Sequence, residues 1–187
     1  MLDLTKAVLP ESIEAEGRIW RIKTWFKYWL RFLQVCAGPE DERDFGFLFE
    51  DGIPTDKAEA MKALSDFARP ESLVPRSTGG DGGGKVLDYS ADADYLYSAF
   101  VQQYGIDLVD GKDLDGNPLH WHKFLALCEG LHGTKMNDIM EARLYDETDK
   151  SSYEESRRKA RDSWTLEGIE TSRAEAAAVD AFNEAFS

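Results

Sequence analysis

The chain has 187 residues and sets 36 acidic side chains against 22 basic ones, for a formal net charge of -14. That length predicts one domain or two small ones, and 42% hydrophobic residues with 12% aromatics supply enough apolar surface for a core, which excludes wholesale disorder. So acidic a molecule is repelled by phosphate backbones and anionic lipids, so neither nucleic acid nor a membrane surface is an expected partner.

Met1 to Pro10 lacks a basic flank followed by an apolar block, and nowhere do 18 uncharged apolar residues run together. The chain is therefore expected to be soluble and to stay where it is made. Charge is unevenly spread. Gly17 to Pro39 holds five basic residues (Arg18, Arg21, Lys23, Lys27, Arg31) and no acid, leaving 36 acids against 17 bases elsewhere. Within this stretch Glu14 to Lys23 alternates around Glu16 and Gly17 as a short hairpin would. Thr24 then suits the N-cap of a helix in which Trp25, Phe26, Trp29, Leu30, Phe32 and Leu33 recur at helical spacing. Two readings of its basic flank stand side by side. It could bind nucleic acid or membrane by stacking and charge, or its Lys and Arg stems could snorkel along the edge of a core helix, which suits an acidic chain better.

The helical pattern is read as continuing from Pro39 to Arg69, with Phe45, Phe47, Leu48 and Phe49 as a compact apolar cluster. Thr55 is placed at the start of a helix with Ala58, Met61, Leu64 and Phe67 inward, and Pro70 closes it. Residues 1–69 thus form an N-terminal segment of hairpin plus helices. Residues 70–86 read as a flexible linker, with two prolines and five glycines between Pro70 and Lys85. Its glycines precede no GKS or GKT, so a phosphate cradle is not expected.

Residues 87–145 predict three short helices packed as one bundle. Ser90 is a candidate N-cap, Asp92 and Asp94 suit the positive helix end, and Tyr97, Phe100, Val101 and Tyr104 form the expected inner stripe before Gly105. After a loop containing Gly116, Asn117 and Pro118, a second helix groups Trp121, Phe124, Leu125, Cys128 and Leu131. Thr134 caps a third with Met136, Ile139, Met140 and Leu144 inward. No metal or cofactor is expected. Aligning Gly116 with the invariant glycine of a calcium loop puts Gly111 and His122 at the first and last ligand positions. His120 and His122, two apart, would point to different faces of a helix. Cys36 and Cys128 show no metal or redox spacing and read as small buried hydrophobes in a reducing compartment. There is no serine elbow and no Cys-His arrangement, so no catalytic residue is assigned and an enzyme is not expected.

Residues 146–187 predict a C-terminal helical extension. Ser152 with Glu155 forms a capping box for a helix ending at Trp164, and Ser172 with Glu175 opens a final one with Ala176, Val179, Phe182 and Phe186 as a narrow apolar stripe. That stripe either docks on the chain's own body or serves as an arm whose Val179, Phe182 and Phe186 capture a partner.

Three stretches carry a family resemblance: LPESIEAEGRIWRIKTWFKYWLRF (Leu9 to Phe32), ADADYLYSAFVQQYGIDL (Ala91 to Leu108) and LHWHKFLALCEGL (Leu119 to Leu131), the last followed by a helix with Ile139 and Arg143. Together they resemble a family of tail assembly chaperones from phages of Gram-positive hosts, encoded beside the tape measure gene. The resemblance spans about residues 9–145 and rests on packing residues, notably Tyr104, Gly105, Ile106, Asp107, Leu108, Trp121, Phe124 and Leu131. Where members favour a Trp pair, this chain has Trp121-His122, and Val109 to Pro118 reads as an insertion. The resemblance implies a siphovirus chaperone that keeps the tape measure protein soluble during tube polymerisation, acting in the host cytoplasm and absent from the mature virion. The major tail tube protein and further copies of the chain are additional candidate partners, and a neck or tail-completion protein is the alternative function. The fold expected is mainly α: a small helical bundle with a short N-terminal β-hairpin and a C-terminal helical extension.

Leu73 to Ser77, LVPRS, also resembles the recognition sequence of thrombin. Limited digestion with thrombin or trypsin is expected to nick the chain there first, whereas a chain still intact after prolonged digestion would show that segment to be packed.

Overall fold

The computed structural model describes residues 5–6, 8–39, 43–69, 86–144 and 154–166. The architecture is mainly α with one N-terminal antiparallel hairpin. Its described elements are β1 (Ser12–Ala15), β2 (Arg18–Arg21), α1 (Phe26–Ala37), a 3-10 turn (Gly46–Leu48), α2 (Lys57–Ala68), α3 (Ala93–Tyr104), α4 (Trp121–Glu129), α5 (Lys135–Leu144) and α6 (Glu154–Trp164). They gather into two compact units, Met1–Val74 with Ile106–Gly130 and Pro75–Gly105 with Leu131–Ser187. The expected linker, Pro70 to Lys85, lies outside the described residues, as do Ser152 and the final helix from Ser172.

In the first unit, Glu16 (φ 57°) and Gly17 (φ 64°) both take left-handed backbone, the turn whose twist matches a tight hairpin. It sets Ile13 opposite Trp20 and Ala15 opposite Arg18, so Ile13, Ala15 and Trp20 face inward while Ile19 points to solvent. The hairpin is bolted to α2 by the turn itself. The Glu16 carboxylate accepts bonds from the Thr55 hydroxyl and the Asp56 amide, and the Glu16 amide donates to Glu59 Oε1 at 2.9 Å. The bonds to its carboxylate, the Thr55 hydroxyl first and then the Asp56 amide, hold the Glu16 carboxyl below its ordinary range.

Several helix starts differ from expectation because distant backbone claims the residues. Thr24 is not the cap of α1: its carbonyl accepts from the Trp121 amide (2.7 Å), and the Phe26 amide donates to Leu119 (3.0 Å), holding Trp25 extended opposite His120. Residues 43–56 hold only the 3-10 turn, because the chain after it runs beside the end of β2, with Lys23 donating to Leu48 (2.8 Å) and Glu50 to Arg21 (3.1 Å). Asp56, not Thr55, caps α2, its carboxylate accepting from Ala58 and Glu59 at 3.0 Å each. The buried stripe of α2 is Ala60, Leu64, Phe67 and Ala68, with Ala58 exposed, since a spacing of three drifts off a face that repeats every 3.6 residues.

The core of this unit is an aromatic stack. Phe26 stacks on Phe124 (centroids 4.7 Å apart), Trp29 on Phe67 (4.6 Å) and Trp121 (6.2 Å), and Trp121 on Phe124 (5.6 Å). Thus α4 clusters with α1 and α2 in the first unit, while α3 and α5 cluster with α6 in the second.

The second unit packs α5 against both α3 and α6. Leu96, Ala99 and Phe100 form the inner stripe of α3; Tyr97 and Val101, expected inside, are exposed. Asp92 is no helix-dipole acid and Ser90 is no cap: Asp88 Oδ1 takes the Ser90 and Ala91 amides, and the Asp92 carboxylate is buried. It meets Arg143 in a two-pronged ion pair at 2.6 and 2.8 Å. Arg143 also donates to the carbonyls of Val86 (3.0 Å) and Trp164 (2.7 Å), so one guanidinium ties α3, α5, the end of α6 and the entering chain. Leu144 is exposed, and the inward face of α5 is Met136, Ile139 and Arg143.

Removing either partner would strand a charge whose side chain is less than 5% exposed. Asp92→Ala is expected to lower unfolding stability by about 3–5 kcal/mol, while the paired change Asp92→Leu with Arg143→Met recovers most of the loss. Urea denaturation of the three proteins checks this, and a single variant as stable as the parent would contradict it.

Candidate functional site

The residues that carry the family resemblance are framework. Trp121 and Phe124 lie at the centre of the first unit's stack, and Leu131 is buried in the second unit, its carbonyl accepting from Asn137 Nδ2 at 2.8 Å. Tyr104 is half-buried, edge-on to Phe100 at 5.5 Å, and its hydroxyl accepts from Gln103 (2.9 Å). Gly105 ends α3 in left-handed backbone (φ 66°), a conformation that disfavours any side chain. The chain then crosses into the first unit. Ile106 is buried, Leu108 half-buried, and Asp107 folds the following turn by accepting from the Val109 (2.7 Å) and Asp110 (3.2 Å) amides. Val179, Phe182 and Phe186 lie outside the described residues.

The first turn of α4 gathers a polar cluster in the first unit. His120 precedes the helix in extended backbone and acts as its N-cap, Nδ1 accepting from the His122 amide at 3.1 Å. Its ring therefore turns back over His122, 5.2 Å away between centroids, rather than to another face. That acceptor role leaves His120 Nε2 with the proton, which it shares with the Pro10 carbonyl (3.1 Å). On α4, His122 Nε2 donates to the Phe67 carbonyl and Trp121 Nε1 to that of Ala68, both at 2.9 Å. Two side chains of α4 thereby satisfy carbonyls that the end of α2 leaves open. Among the described residues His122 Nδ1 is buried without a hydrogen-bond partner. Burial pushes both imidazoles toward the neutral form, His122 down to about 4.

Among the described residues no group of three or more His, Cys, Asp or Glu side chains is placed to hold a metal ion. In the loop before α4, both Asp113 carboxylate oxygens are engaged, Oδ1 by the Asp115 and Asn117 amides and Oδ2 by Lys123 Nζ (2.9 Å). The thiols of Cys36 and Cys128 are free and half-buried, and burial raises both above the ordinary range, away from thiolate chemistry.

The basic flank of α1 lies over aromatic rings. Lys27 sits above Trp25, Lys23 above Tyr28 and Arg31 above Phe47, at 5.1, 5.3 and 4.3 Å from the ring centres. Sequence reasoning placed cations and rings on this helix but missed that Phe47 arrives from another segment. It also missed the Asp92–Arg143 pair, for which one signal exists: an arginine in register with Met136 and Ile139 on an otherwise apolar face.

The histidine pair makes the first unit acid-sensitive in a definite window. The unfolded chain takes up a proton near pH 6.5, whereas folded His122 resists it until about pH 4. The part of the stability linked to His122 is therefore lost progressively as pH falls from 6.5 toward 4, and its own share of the decline ends there. In His122→Phe the decline over that window is expected to be shallower, read from urea midpoints at a series of pH values. Identical slopes would contradict the burial of a neutral imidazole.

No curated protein and no solved structure matches the chain. The family model described as Bacteriophage Gp15 protein matches residues 5–166, which takes in every described element of both units. The chain thus belongs to the bacteriophage Gp15 protein family.

Proposed function

We propose that the protein is a non-enzymatic tail assembly chaperone of a siphovirus infecting Gram-positive bacteria. It binds the tape measure protein and keeps it soluble while the tail tube polymerises around it. The observation that carries this reading is the match to a bacteriophage family across both units, taken with the use the chain makes of its resembling residues. Trp121, Phe124, Leu131 and Ile106 are spent on packing. What they support is a scaffold that displays surface.

The chemistry suits a client with long apolar seams. A net charge of -14 keeps a coated complex dispersed. Apolar side chains stand out from the scaffold, among them Val109 and Leu114 on the loop before α4 and Tyr97 and Val101 on α3. Val179, Phe182 and Phe186 add a capture stripe in the C-terminal segment. Loading and release run on competing binding equilibria, with tail tube subunits displacing the chaperone as they polymerise. Its place of action is the host cytoplasm, and it leaves before the particle matures.

Quantitative mass spectrometry of infected-cell lysate and of purified particles tests this. The protein is expected to be abundant in lysate during assembly and depleted from mature virions relative to the tape measure protein. A fixed number of copies per virion would overturn the chaperone reading in favour of a neck or tail-completion component.

A further inference from the structure

While Phe26, Trp29 and Phe32 of α1 are buried, another flank of the helix builds a half-exposed ladder of rings. Trp25 and Tyr28 meet at 5.6 Å, and Tyr28 and Phe47 at 6.5 Å. Lys27, Lys23 and Arg31 lie over this ladder, and two of them are fixed further, Lys27 Nζ donating to the Val109 carbonyl (2.6 Å) and Lys23 Nζ to that of Phe47 (3.0 Å). Trp25 Nε1 donates to the Gly111 carbonyl (2.7 Å), and a Cβ at Gly111 would come within 2.9 Å of the Trp25 ring, so the loop lies tight against the ladder. Among the described residues, none of the three cations forms an ion pair with a carboxylate. The result is a preorganised positive and aromatic surface on a strongly acidic chain.

The sequence contains a complement to it. Residues 167–187 hold five carboxylates (Glu167, Glu170, Glu175, Asp180, Glu184) against one base, Arg173. Val179, Phe182 and Phe186 recur there at helical spacing, so the segment offers acid and phenyl rings where the α1 face offers bases and half-exposed rings. In sequence it follows shortly on Trp164, which Arg143 anchors and which packs edge-on to Tyr95 at 5.4 Å. Fully extended, 21 residues span up to about 70 Å, ample to reach a neighbouring molecule.

We propose that the C-terminal segment of one copy docks on the aromatic and basic face of α1 in a second copy. Each molecule then carries one donor segment and one acceptor face, a head-to-tail contact that builds rings or open arrays. Attraction between opposite charges makes the assembly salt-sensitive. The inference concerns the purified chain alone and stands whether or not the tape measure protein is its client.

Sedimentation velocity of the full-length protein at about 50 mM and about 500 mM salt reads this directly. Concentration-dependent association is expected at low salt and its loss at high salt. The acceptor variant Lys27→Glu with Arg31→Glu and the donor variant Asp180→Lys with Glu184→Lys should each lose self-association, and the charge-reversed pair mixed together should recover it. Because these changes sit on different segments, a folding fault in one cannot account for losses in both, and recovery on mixing excludes such a fault. A chain that stays monomeric at low salt, an oligomer unaffected by either variant, or failure of the mixed pair to recover would each overturn the proposal. So would a monomer in which deleting 167–187 uncovers the amides of Tyr28 to Arg31 to hydrogen exchange, since the segment would then dock on its own copy.

Discussion

The first unit depends on the backbone at Leu119 to His122. Leu119 and His120 run extended beside Thr24 to Phe26, His120 caps α4, and Trp121 and His122 at the start of that helix close the end of α2. Three segments far apart in sequence therefore meet at one turn, and the aromatic stack above it follows. With Trp121 fixed by its indole bond to Ala68, its ring lies beside Trp29 and Phe124, and Phe124 in turn accepts Phe26. Placing two imidazoles at this turn limits it to pH values at which they are neutral.

The second unit solves the same problem with charge. Arg143 satisfies Asp92 and two backbone carbonyls at once, so burying the pair leaves few open polar sites. An apolar pair of similar volume could hold the helices comparably well, but the guanidinium fixes where α3, α5 and the end of α6 must meet. Both joints are structural.

Local pattern was legible in the sequence, and long-range claims on the backbone were not. Alternation around Glu16-Gly17 and the aromatic spacing of α1 are properties of neighbouring residues, so the hairpin and helix could be read directly. Thr24 looked like a cap because Ser, Thr, Asp and Asn usually are, but its carbonyl is taken by Trp121, almost a hundred residues later. Phe45 to Phe49 looked helical because a short apolar cluster does not distinguish a helical turn from an edge paired to β2. Periodicity assigned a face to α4 without saying which helices that face would meet, so it was grouped with its sequence neighbours instead of α1. Of the resembling residues Ile106, Trp121, Phe124 and Leu131 are buried, whereas Gly105 and Asp107 are exposed and shape turns; the cationic flank of α1 was visible in the sequence, whereas its ladder of rings needed Phe47 from a separate segment.

In the proposed function the scaffold's charged exterior and exposed apolar side chains hold a client in solution. Light scattering of tape measure protein diluted from denaturant with increasing amounts of the purified chain tests this most directly. Scattering is expected to fall with dose and to saturate at a fixed molar ratio. Scattering unchanged at any ratio would contradict it.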